Sequence, residues 1–136
     1  MSTLLFCIDN SLGKESNYLK IYDDRVVTLQ PKGSVHTKLD FIKKELQLQG
    51  YNTEKFFGID IALRKIDHVY YCPPKSIALQ GYMMFHIKYT EFKVPHLWNH
   101  KSMSNCFTVF WQNIGEAERI VEYLKKTYPE ITIEKV

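Results

Sequence analysis

Apolar and polar residues alternate with a period of two along most of this chain, the mark of strands with one buried face. From Asn17 to Tyr22, Leu19 and Ile21 fall on one face and Tyr18, Lys20 and Tyr22 on the other. After the polar pair Asp23-Asp24 the alternation resumes from Arg25 to Gln30 through Val27 and Leu29, so a hairpin with a short acidic turn is expected. Phe56 to Leu63 sets Phe57, Ile59, Ile61 and Leu63 on one side. Ile66 to Tyr71 continues the pattern until Pro73-Pro74, because proline cannot donate to a ladder. The longest strand predicted runs from Gln80 to Tyr89, with Met83, Phe85, Ile87 and Tyr89 facing one way. Asn105 to Trp111 offers Phe107, Val109 and Trp111. The run Leu4 to Ile8 and the stretch Ile131 to Glu134 bring the expectation to as many as eight strands.

Two segments have helical spacing instead. A short amphipathic helix is predicted near 37–49, with Leu39, Ile42 and Leu46 on a narrow stripe and Gly50 as its stop. In the second, Ala117, Ile120, Val121, Leu124 and Tyr128 line one apolar face. Asn113 is the expected cap, with Glu116 completing a box-like start, Lys125 and Lys126 near the negative end of the dipole, and Pro129 ending the helix. Many strands and one late helix predict a mainly β, α+β fold: a curled antiparallel sheet closed on one side by the helix.

Composition narrows the class. At 136 residues the chain has the size of one domain; no repeat or compositional break divides it, and 1–136 is read as one unit. Hydrophobic residues at 45% and charged residues at 24% exclude wholesale disorder, and a net charge of +3 is too small to argue for nucleic acid or an anionic surface. The opening residues carry no basic leader, and no apolar run approaches a membrane span. The three cysteines, Cys7, Cys72 and Cys106, are odd in number and widely spaced, so no disulfide framework is expected. These features predict a cytoplasmic protein without stable membrane insertion.

Several stretches taken in order resemble the short bacterial pleckstrin-homology-like (PH-like) domains. The stretch from Asn17 to Val27, Asn-Tyr-Leu-Lys-Ile-Tyr-Asp-Asp-Arg-Val-Val, is similar to their opening hairpin. Ile66-Asp-His-Val-Tyr-Tyr is similar to their mid-chain strand, and Gln80-Gly-Tyr-Met-Met-Phe-His-Ile to their glycine-aromatic strand. Asn105-Cys-Phe-Thr-Val-Phe-Trp and the helix from Glu116 resemble the closing strand and helix. The likeness spans about residues 15–129. It implies a partly open antiparallel barrel of about seven strands, capped by the C-terminal amphipathic helix, and a role in binding or scaffolding. Three features depart from the family pattern. The first turn is Asp23-Asp24-Arg25, whose carboxylates would repel a phosphoinositide. A helix is predicted near 37–49 where the family has a glycine- and leucine-rich stretch, and the stretch from Thr90 to Ser104 holds Phe92, Pro95, His96, Trp98 and His100 instead of glycines.

That stretch, about fifteen residues without periodicity, is where binding is expected. His96 and His100 have a spacing that holds zinc on a helix, but Leu97 stands where a zinc protease needs Glu, and Pro95 argues for a loop. Phe92 and Trp98 are apolar anchors in a polar setting, and Trp is enriched at binding hot spots. The chosen partner-contact residues are therefore Phe92, His96, Trp98 and His100. His68 and His86 read as packed strand residues. Phosphate-loop, dinucleotide and nucleophile-elbow motifs are absent from the sequence, and no catalytic residue, metal or cofactor is expected. The function read from these residues is a non-catalytic module that binds a protein or peptide, with homodimerisation open. The alternatives are a small metal-dependent hydrolase using His96, His100 and Cys106, or a lipid- or nucleic-acid-binding module. The basic face Lys38, Lys43 and Lys44, or the tyrosines Tyr18, Tyr22, Tyr70 and Tyr82, would serve the last.

Overall fold

The computed structural model describes residues 2–11, 17–31, 56–92 and 103–136. The chain forms β1 (Leu4–Asp9), β2 (Tyr18–Tyr22), β3 (Arg25–Pro31), β4 (Phe56–Ala62), β5 (Ile66–Cys72), β6 (Gly81–Ile87), β7 (Cys106–Val109), the helix α1 (Ile114–Thr127) and β8 (Thr132–Lys135). Among the described residues these make two separate sheets and no closed barrel. The first has the order β1-β2-β3-β4 and the second β7-β6-β5-β8. Neighbours are antiparallel except β8, which runs parallel to β5. The expected mainly β, α+β class holds. The helix predicted near 37–49 lies outside the described residues.

Cross-strand pairing decides which face of each strand is buried. In β2, Leu19 and Ile21 are fully buried as expected, and their partners across the ladder are Thr28 and Val26. The inner face of β3 is therefore Val26, Thr28 and Gln30, and the expected face of Val27 and Leu29 is the outer one. The two buried polar side chains of this face, Thr28 and Gln30, are hydrogen-bonded. Thr28 Oγ1 accepts the Ile59 N–H at 3.1 Å. The Gln30 amide donates to the Cys106 carbonyl, and its oxygen accepts the Thr108 N–H at 3.3 Å. One side chain of the first sheet thus occupies the outer edge of β7 in the second, as a peptide group of another strand would.

The core lies between the sheets and α1. Ala117, Ile120, Val121 and Leu124 are all buried, the face the sequence predicted. They meet Leu19 and Ile21 from the first sheet and Val69 and Phe85 from the second in one cluster. Burial of each of the larger helix side chains, Ile120, Val121 and Leu124, contributes about 1.5–3 kcal/mol, which is why an amphipathic segment settles here. Asn113 precedes α1, but its side chain makes no capping bond to the helix. Its oxygen accepts the Phe110 N–H instead, at 3.0 Å.

Two predicted strands end early. β6 stops at Ile87, because Tyr89 adopts φ 66° in a turn and is fully exposed. β7 stops at Val109, and Trp111 opens a short 3-10 turn with its ring half in solvent. β6 is buried on both faces from Gly81 to His86. Met83 and Phe85 enter the main core, while Tyr82 and Met84 join a second cluster with Cys106, flanked by Tyr70, Cys72 and Met103.

Candidate functional site

The β5–β6 hairpin places His68 opposite His86. Between Ile66 and His68 the register shifts, so Asp67 is an extra residue in its strand. A bulge of this kind re-aims a side chain. Here Asp67 turns to His86, its Oδ1 lying 2.5 Å from the ring Nδ1. The other ring nitrogen, Nε2, is 3.0 Å from the Thr90 carbonyl and 3.3 Å from Thr90 Oγ1, whose proton goes to the Ile87 carbonyl. Both nitrogens of this buried ring therefore face oxygen atoms.

Phe92 rests on this pair. Its ring centroid is 4.9 Å from that of His68 and 5.0 Å from that of His86, at tilted and edge-on angles, and the side chain remains 42% exposed. His68 Nε2 comes within 3.2 Å of Glu134 Oε1 on β8, yet it makes no aligned hydrogen bond. Beside His86 lies a depression of about 430 Å³ bordered also by Met84, Thr90, Glu91, Met103 and Asn105.

Of the four chosen contact residues, Phe92 is at this surface, and His96, Trp98 and His100 lie outside the described residues. Asp67, Thr90 and Glu134 were not singled out by sequence; their part depends on a bulge, a turn and a parallel pairing. The available signal was the presence of a histidine in each strand of a predicted neighbouring pair.

The remaining candidates are also placed. Tyr82 is buried and stacks on Tyr70, with centroids 6.3 Å apart and planes 8° from parallel, so it is not open for base stacking. Tyr18 and Tyr22 are partly exposed beside the cations Lys20 and Arg25, but Arg25 is paired with Asp60. Burial pushes the Cys106 thiol well above its ordinary range, and neighbouring Cys72 adds to the shift. That is the opposite of what a nucleophile requires. Lys38, Lys43 and Lys44 fall outside the described residues. Among the described residues no group of three or more His, Cys, Asp or Glu side chains is placed to hold a metal ion, and no helix is long and apolar enough to cross a membrane. Comparison with protein-family models, curated proteins and solved structures found no match.

Proposed function

We propose that this chain is a non-catalytic binding or scaffolding module of PH-like architecture that recognises a protein or peptide partner. Phe92 carries the reading. An aromatic side chain 42% exposed and seated on two histidine rings from adjacent strands is held in position before any partner arrives. Preorganisation of that kind lowers the entropic cost of docking, and aromatic anchors dominate binding energy at interfaces. Phe92 also leads directly into the residues that carry His96, Trp98 and His100. The PH-like part of the reading is supported by the order of elements: four strands of one sheet, three of the next, then α1.

The test is affinity capture from the native lysate with the unsubstituted chain, Phe92→Ala and Trp98→Ala. A partner retained by the unsubstituted chain and lost with both variants supports the reading. Equal recovery by all three removes this surface.

A further inference from the structure

β8 is the edge strand of the second sheet, paired parallel to β5 and tied to α1 through Lys135 and Glu118. Its register sets Thr132 against His68, Ile133 against Val69, Glu134 against Tyr70 and Lys135 against Tyr71. β8 has four residues; Thr132, Glu134 and Lys135 are exposed and Ile133 is half-buried. Beyond the ladder it is fastened by the Val136 N–H on the Tyr71 carbonyl at 2.9 Å and by Lys135 Nζ on Glu118 Oε1 of α1 at 2.8 Å. The latter is a surface pair, a weak tie.

The fit of β8 leaves polar atoms unsatisfied. Among the described residues three buried side-chain atoms lack a hydrogen-bond partner, and two of them, His68 Nε2 and Tyr71 Oη, belong to the strand that β8 covers. Glu134 approaches His68 without alignment. Tyr71 Oη lies near Glu118, whose carboxylate binds Lys135 instead. Such atoms are costly to bury unpaired. β7, at the opposite edge of the same sheet, is different: Gln30 bonds its outward groups and seals it.

We propose that β8 is an exchangeable strand, and that the edge of β5 beside α1 is a docking edge for an extended segment of a partner protein. This rests on the binding-module reading above. The fitting segment carries an apolar side chain opposite Val69, a hydrogen-bond acceptor aligned on His68, and a cation that reaches Glu118. Backbone pairing supplies affinity and the alternating side chains supply selectivity. Without a partner, the chain's own Ile133, Glu134 and Lys135 hold the place.

The probe is a fluorescein-labelled peptide with the sequence of residues 130–136, titrated against the full chain and against its Ile133→Asp variant. The variant loosens β8 and binds the peptide at least about tenfold tighter than the unsubstituted chain, since the competent state is more populated. A scrambled peptide binds neither. A folded Ile133→Asp chain that ignores the peptide overturns the proposal. Should that variant fail to fold, hydrogen exchange in the unsubstituted chain decides. The β8 amides then exchange about 100-fold faster than those of Met83 and Phe85, and equal protection overturns it. Lysate capture probes Phe92 and Trp98 separately, so failure of one experiment leaves the other interpretable.

Discussion

Asn10 and Asn113 face each other amide to amide. Asn10 Nδ2 donates to Asn113 Oδ1 at 2.9 Å, and Asn113 Nδ2 donates back to Asn10 Oδ1 at 3.0 Å. The pair ties the end of β1 to the start of α1, and Asn113 is buried. Asn113→Ala removes these bonds together with the Phe110 contact and costs about 1–3 kcal/mol in urea denaturation. Asn113→Asp is also destabilising, because it sets an oxygen against Asn10 Oδ1. Wild-type stability in both variants would deny the pair a structural role.

The Gln30 amide predicts a contrast between two substitutions. Gln30→Ala leaves the outward groups of Cys106 and Thr108 unpaired, at a cost of about 1–3 kcal/mol. Gln30→Glu is worse at neutral pH, because a buried carboxylate then faces the Cys106 carbonyl. Burial raises the carboxyl pKa in the folded state, so the deficit is present above the unfolded pKa and shrinks as the pH falls through the carboxylate range. Denaturation midpoints at pH 7 and pH 4.5 measure the contrast.

Tyr71 gives a pH dependence at the alkaline end. Burial, with the nearby Glu118 carboxylate, pushes its phenol up to about 12 from an ordinary 10.0. The unfolded chain loses this proton first, so stability is intact below pH 10 and falls as the pH rises from 10 toward 12. Tyr71→Phe flattens that part of the curve. Near neutral pH it also removes a buried hydroxyl without a partner, so it is neutral or stabilising. A large loss of stability at pH 7 would count against the orphaned hydroxyl.

Gly81 stands where β6 passes Pro73-Pro74. A Cβ there would lie 2.1 Å from the Cys72 carbonyl oxygen and 2.5 Å from the Pro74 nitrogen, both backbone atoms. Gly81→Ala therefore forces the two segments apart and costs about 1–3 kcal/mol, read as a lowered melting temperature. Gly115, with only the tip of Arg119 within 4 Å of its Cβ position, tolerates alanine and serves as the control.

Cys106 is buried and its thiol is held protonated, whereas Cys7 and Cys72 are partly exposed. Under native conditions Cys106 stays unlabelled by iodoacetamide and reacts only in denaturant, as mass spectrometry of peptides would record. Rapid native labelling would reopen the nucleophile reading.

The alternation from Tyr18 to Tyr22 and the stripe from Ala117 to Leu124 were legible because local periodicity encodes burial directly. β3 was misread for a physical reason: its inner face carries Thr28 and Gln30, which are satisfied by Ile59, Cys106 and Thr108, and no local pattern reveals such distant partners. The parallel placement of β8 was hidden likewise, since four residues fit either direction. The seat of Phe92 required the pairing of His68 with His86, a matter of register rather than composition.

Tyr128, just beyond α1, donates its phenol to the Asp23 carbonyl at 2.5 Å, so the β2–β3 turn is tied to residues more than a hundred positions later. During synthesis the first sheet emerges well before the segments that shelter it. A nascent chain that has left the ribosome only through Ala62 has no α1 to cover Leu19, Ile21 and Val26, and it awaits β5 to α1 with greasy surface bare. Slow translation of those later elements, or a shortage of chaperones, would lower the yield of native molecules before their final stability mattered at all.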